Sequence, residues 1–452
     1  MTEAQRALKE NADTDIEQIA REFQNSFEAD KRLFKSEVAV NYAYCDSLFE
    51  AGILTRLESE KIKNGLQTLS KRAEFDRDYF DKHNFNNLSE FIEEKLVQLV
   101  GKIGRKINIG RSISELSSTV LRFWLKDKIM KISQNIRDIQ KIFVSFAEQN
   151  ETIVIFLQSQ FRQTQPILFG HWCLGYFEIF SRDRERLDEV WRRTNTMPLG
   201  SNEGNGTSFE IDREELARKL GFEGISTNSL DAVSDRDFVL EFVNASVLIT
   251  RHILQLVEDL LFYSSENTDF FKFENKFSVT LLETIHGKCV RLQGFQTIFN
   301  SNIKGLSANS HRDFSDQNEI IFETFEILQK SIKAVNAVFL SIQLNETRSE
   351  QFASKILINQ SEIFEYLIQR EVSFEEAENI TRKIINFMQN ETLTSKIRIE
   401  ELQEISPVIE SDIFEIFDVH KILGQKNQIG GTSPERVSEA IAEAKNKLKF
   451  EE

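Results

Sequence analysis

The sequence predicts an all-α chain, and three observations carry that reading. Breakers are scarce, with 18 glycines and 4 prolines in 452 residues beside 28% charged residues, a balance that favours long helices over turn-rich sheets. Two long stretches, between Gly110 and Pro166 and between Gly224 and Gly287, contain neither residue. Within both, apolar side chains recur at helical spacing.

Taken in order, the first stretch carries one apolar stripe of Leu121, Trp124, Ile129, Ile132, Ile136, Ile139, Phe143 and Phe146. In the second, Ser234-Asp235-Arg236-Asp237 has the form of a capping box before FVLEFVNASVLITRHILQLVEDLLF. That run is apolar over more than one face, as expected of a helix buried in a bundle or at a subunit contact. A third long helix fits residues 318–343, and shorter helices with acidic faces fit the two ends. The expected domains are residues 1–110, 111–354 and 355–452, with three long helices in the central one.

Charge and cysteine usage limit the function. With 56 basic and 72 acidic residues the net charge is −16, leaving no basic surplus to release counterions from a nucleic acid or an acidic membrane. Cys45, Cys173 and Cys289 are odd in number and lack metal-ligand spacing, so neither a metal nor a cofactor is expected and the cysteines read as reduced thiols. The N-terminal MTEAQRALKENADTD lacks the basic flank and apolar core of a signal peptide, and no apolar run is expected to approach membrane-spanning length, so a cytoplasmic location is expected. GSNEGNG at residues 200–206 lacks the Lys-Ser/Thr that follows a phosphate cradle and reads as a structural turn.

Beyond these patterns, PILFGHW, SRDRERLDEVWRR, PLGSNEGNGTSFEIDRE and NSLDAVSDRDFVLEF, between residues 166 and 242, strongly resemble argininosuccinate lyases of the fumarase/aspartase superfamily. The likeness extends to FQNSFEADKRL near the start and to EELQEISPVIESDIFEIFD and GGTSPERV near the end. It implies an all-helical, three-domain subunit whose long central helices join those of other subunits in one bundle. It also implies a homotetramer, sites built from three chains, and cleavage of argininosuccinate to arginine and fumarate.

Against that family the chemistry-bearing positions depart. The family base is a serine in a glycine-rich loop, yet from Ser264 to His286 the chain has no Gly, Pro, Met or Gln. The family Thr-His pair reads Ser159-Gln160, and glutamine does not titrate near neutral pH. Glu283 matches the glutamate that orients that histidine. The second arginine and the asparagine after the family's first arginine read Ile113 and Ser114, while Asn41, Tyr44 and Ser89 replace a serine and two histidines. Family pocket positions are kept at Arg111, Ser112, Asn228, Ser229 and Arg236, so with Ser159 and Gln160 these seven define a vestigial pocket.

The leading expectation is a catalytically degenerate member serving as a ligand-binding, regulatory or structural subunit, as a homotetramer or assembled with an active homologue. Its expected ligand is a small amino acid or dicarboxylate. The alternative is a divergent enzyme acting on another such molecule, with Glu283, His311 or Glu115 as the new base; argininosuccinate cleavage itself is least expected. His171 reads as a core residue between aromatics, and Phe270 to Phe277 as helix packing or a plug in the old site.

Overall fold

The computed structural model describes residues 25–81, 85–159, 162–305, 315–353, 360–390 and 397–450, with Ile16, Ile19 and Phe23 before them. Helices dominate. Near the N-terminus lie α1 (Phe34–Glu50), α2 (Arg56–Phe75) and α3 (Leu88–Val100). Thr55 and Glu58 form a capping box that starts α2, the Asn87 side chain accepts the Glu90 amide to start α3, and Gly101 ends α3 at φ +79°. Then come α4 (Ile113–Gln149), the antiparallel hairpin β1 (Val154–Ser159) and β2 (Arg162–Leu168), and α5 (Phe169–Thr194). Short β3 (Thr196–Met197) pairs in parallel with β4 (Gly224–Ile225). The short α6 (Ser229–Ser234) leads to α7 (Asp237–Tyr263), β5 (Phe271–Phe273), α8 (Ser278–Ile303), α9 (Ser315–Leu340) and β6 (Ile342–Leu344), the last pairing antiparallel with β5. The C-terminal part carries α10 (Gln360–Gln369), α11 (Phe374–Asn390), α12 (Ile399–Ile405), α13 (Val419–Gln425) and α14 (Pro434–Phe450).

The expected all-α class holds, and two local expectations are corrected. Among the described residues five helices of 26 to 37 residues are present where three were expected. Gly170 and Gly175 punctuate α5 and Gly287 and Gly294 punctuate α8, which hid both behind apparent breakers. The run after Phe146 turns into a hairpin, in keeping with the β-branched and aromatic residues Ile153 to Phe156. Ser234 does not cap α7: its hydroxyl turns back to the Leu230 and Asp231 carbonyls, and Asp235 accepts the Asp237 amide instead. An Asp two residues before the helix offers the shorter reach.

The chain resolves into two compact units. The first comprises Met1–Gln134, Asp183–Thr250 and Lys288–Lys330. Its N-terminal core is an aromatic cluster in which Phe27 and Phe91 centroids lie 5.2 Å apart and Phe34 meets Phe80 edge-on at 5.2 Å. On α4, Trp124 packs edge-on against Phe322 of α9 at 4.9 Å. The second unit comprises Asn135–Arg182, Arg251–Gly287 and Ser331–Glu452. There Trp172 and Tyr176 of α5 both donate to Asp259 Oδ2 of α7, at 2.9 and 2.8 Å, and Tyr263 donates to the Phe156 carbonyl at 2.7 Å. Helix α7 is long and apolar enough by length and composition to cross a membrane; however, its Phe238, Phe242, Ile249, Ile253, Leu256 and Leu260 are buried in the fold.

Candidate functional site

The first unit contains a cleft of about 480 Å³ whose walls come from α1, α3 and the turn leading into α4. Helical spacing along α1 places Glu37, Asn41 and Tyr44 on one side, buried among Leu33, Val40 and Leu48. From α3, the Ser89 hydroxyl donates to Glu37 Oε1 at 2.7 Å. Burial pushes the Glu37 carboxyl up to about 7, against the opposing pull of the Ser89 bond and the Arg111 charge. Asn41 is only 2% exposed, and its carbonyl oxygen has no partner among the described residues.

Gly110, at φ +80°, makes the turn that aims Arg111 inward, and any Cβ there would meet the Phe209 ring at 2.9 Å. The Arg111 guanidinium lies over the Tyr44 ring at 4.9 Å and donates from Nη2 to Asn108 Oδ1 at 3.0 Å. Its Nε and Nη1 are buried without a partner among the described residues. Tyr44, standing where the resemblance has a histidine, donates to the Ile109 carbonyl at 2.8 Å, and burial pushes its hydroxyl pKa up. It therefore braces the turn. Ile113, standing where the resemblance has an arginine, is 71% exposed at the cleft wall.

Ser112 caps α4. Its hydroxyl accepts the Glu115 amide at 3.3 Å and donates to the Asn202 carbonyl at 2.7 Å. Glu115 is fully buried and accepts the amides of Ser112 at 3.0 Å and of Gly200 and Asn202 at 2.7 Å each. The GSNEGNG turn thus behaves as an anion cradle filled by the chain's own carboxylate. Gly200, Asn202, Gly204 and Gly206 all have positive φ there, which is the conformation such a nest of amides needs. Burial pushes the Glu115 carboxyl up while these amides pull it down. A base so enclosed has no route to a substrate.

Of the positions singled out from sequence, the cleft lining holds Arg111, Ser112 and the replacements Asn41, Ser89 and Ile113, and the others lie apart from it. Asn228 is exposed and caps α6, accepting the Leu230 and Asp231 amides at 2.9 and 3.2 Å; Ser229 begins that helix. Arg236 is buried, donates to the Asp235 carbonyl at 2.7 Å, and is pushed down to about 10 by burial and by the neighbouring Arg122 charge. Glu283 stands exposed on α8 in the second unit. The backbone of Ser159 ends β1; its side chain, Gln160 and His311 lie outside the described residues. His171 is half-buried, and burial pushes its imidazole pKa down. Phe270 and Phe271 belong to the second unit's core, packed on Phe156 at 5.3 Å and Tyr263 at 5.1 Å.

Sequence reasoning missed Glu37. The available signal was a glutamate within the buried stripe of α1, one helical turn before Asn41. No group of three or more His, Cys, Asp or Glu among the described residues is arranged to hold a metal ion.

This helical architecture is that of the fumarase/aspartase lyases. EDDS lyase in complex with formate superposes with a TM-score of 0.82 at 20% identity, covering 92% of this chain and 86% of that one. A fumarate lyase from Mesorhizobium superposes at 0.68 and 17%, covering 94% and 98%. A lyase family model matches residues 11–277, and the argininosuccinate lyase C-terminal model matches 358–424. An argininosuccinate lyase of Caldanaerobacter subterraneus is 31% identical over 428 residues, spanning 92% of this chain and 97% of the relative. The chain belongs to the argininosuccinate lyase family.

Proposed function

We propose that this family member has lost argininosuccinate cleavage and keeps its cleft for ligand binding, as a regulatory or structural subunit of a cytoplasmic homotetramer or of an assembly with an active homologue. The observation that carries the reading is the fold of residues 264–278, where the resemblance expects a mobile, glycine-rich serine loop. Here β5 pairs with β6, the Phe270 amide donates to the Tyr263 carbonyl at 2.9 Å, and Phe270 and Phe271 are buried. Ser278, a serine that survives nearby, is 4% exposed at the start of α8. A serine base needs a loop that closes over substrate and a partner to take its proton, and here Phe271–Phe273 of this segment pair with β6. The lyase model match also ends at residue 277, inside the rewritten stretch.

Supporting features converge on the pocket. Ile113 and Ser114 replace donors that the resemblance assigns to the substrate carboxylates, and Gln160 replaces the titrating histidine. We retain the division at residues 110 and 354 as the domain plan of the proposed assembly. The test is incubation with argininosuccinate while fumarate is followed by ultraviolet absorbance. No turnover is expected; steady fumarate release that vanishes in Glu283→Gln sinks the proposal and favours the divergent-enzyme reading.

A further inference from the structure

Helix α1 has a second working face. A helix turns about 100° per residue, so Lys35, Val38, Ala39, Tyr42, Ala43 and Asp46 project from the side opposite Glu37 and Asn41. They line a cavity of about 600 Å³ that lies wholly within the first unit. Its other walls are Gln67 and Ser70 of α2, Phe123 of α4, and Lys219 and Leu220 at the end of the short helix Arg213–Lys219. The size is that of a small-molecule site.

The lining divides by chemistry. Its floor is apolar: Val38, Ala43 and Leu220 are between 5% and 8% exposed, and Ala39 and Phe123 are half-buried. Its rim carries a surplus of positive charge. Asp46, the single acid of the lining, is taken up by Lys63 at 2.6 Å, and Lys219 is balanced by Glu50 at 2.6 Å. Lys35 is different, because its exposed ammonium has no ion pair or hydrogen bond among the described residues. Two hydroxyls add donors. The Tyr42 hydroxyl accepts from Gln67 Nε2 at 3.3 Å and keeps its own proton to give, and the Ser70 hydroxyl has no partner among the described residues.

We propose that this cavity binds an amphipathic monocarboxylate, a molecule with one anionic head and a medium-length aliphatic tail. The head pairs with Lys35 and accepts from the Tyr42 and Ser70 hydroxyls, while the tail covers Val38, Ala39, Ala43, Phe123 and Leu220. A small inorganic anion gains nothing from that floor, since the gain comes from apolar area removed from water. A dicarboxylate of similar length would bring its second charge onto the apolar floor at a desolvation cost. An alkylammonium would meet the Lys35 charge and find no carboxylate free to pair with it. None of these residues belongs to the cleft lining, so the inference stands whether or not the chain cleaves argininosuccinate.

The experiment is isothermal titration calorimetry on the full chain at pH 7, with acetate, hexanoate, octanoate and octylammonium as probes. Octanoate is expected to bind and hexanoate to bind about tenfold more weakly, two methylenes being lost from the floor. Acetate and octylammonium should give no saturable heat. Lys35→Met keeps the apolar stem without the charge and should weaken octanoate by about fivefold. Ala39→Trp fills the cavity from its floor and should abolish octanoate binding, with circular dichroism reporting that the variant folds. Lys35 is exposed, so its variant tests the site even where the bulkier one unfolds. No binding of octanoate, affinity independent of chain length, octylammonium binding as tightly as octanoate, or octanoate binding indifferent to Lys35→Met or to a folded Ala39→Trp would each overturn the inference.

Discussion

Ser112 and Glu115 hold each other across the first turn of α4, the Ser112 amide donating to Glu115 Oε1 at 3.0 Å and the Glu115 amide to Ser112 Oγ at 3.3 Å. This capping box is tied to the GSNEGNG turn through Glu115 Oε2 and the amides of Gly200 and Asn202. Glu115→Ala leaves three backbone donors without their acceptor, each costing roughly 1–3 kcal/mol. A loss of about 3 kcal/mol or more is expected, seen as a lowered thermal midpoint by circular dichroism. Glu115→Gln keeps one acceptor oxygen and should lose clearly less. Equal stability of wild type and Glu115→Ala would contradict the structural role.

Glu37 makes stability depend on pH. Its carboxyl rises from an ordinary 4.5 to about 7 on folding, so the folded chain holds a proton that the unfolded chain releases. Its stabilising contribution is complete below about 4.5 and is lost as pH rises through 7. Between pH 5 and pH 8 this amounts to roughly 2–3 kcal/mol. Glu37→Gln, neutral throughout, should match wild type near pH 5 and exceed its thermal midpoint at pH 8. A constant difference across that range would rule out the shift.

The strand β5 alternates between core and solvent, with Phe271 1% exposed and Lys272 pointing out. Phe271 packs on Phe169, Trp172 and Tyr263 at centroid distances of 5.7, 5.8 and 5.1 Å. Phe271→Ala should therefore cost about 3–5 kcal/mol by opening a cavity, whereas Lys272→Ala should stay within about 0.5 kcal/mol. Calorimetric unfolding of both variants checks this. A plug filling an otherwise intact pocket would behave differently, its removal leaving stability unchanged while new ligand binding appeared.

The long helices α4, α7 and α9 were legible because their apolar positions recur every three or four residues without a breaker. Helices α5 and α8 were not, since glycines interrupt them and the apolar positions of α8 spread around its circumference. At the site, the resemblance marked Ile113, Asn41, Tyr44 and Ser89 as departures from the family pattern. It did not reveal what those replacements had created. The proximity of Ser89 to Glu37, and of Glu115 to the amides of residues 200 and 202, spans 52 to 87 positions of chain. Such contacts depend on how helices pack, which local pattern does not encode. Glu115 was thus a suspect base from its position and is a cap in the fold.

Helix α8 leaves Val279, Leu281, Val290 and Ile298 between 38% and 48% exposed, an unusual load for a helix of one chain in water. The proposed homotetramer would bury them against other copies. Light scattering on the purified chain should then give a mass four times the 52.5 kDa of one chain. Placing charge at two of these positions with Val290→Glu and Ile298→Glu together should shift the mass to smaller species, because an unpaired charge in an apolar interface costs several kcal/mol. Far-ultraviolet circular dichroism should change little, as both side chains already face outward in the single chain. A monomeric wild type, or a double variant that keeps the full mass, would remove Val290 and Ile298 from the assembly.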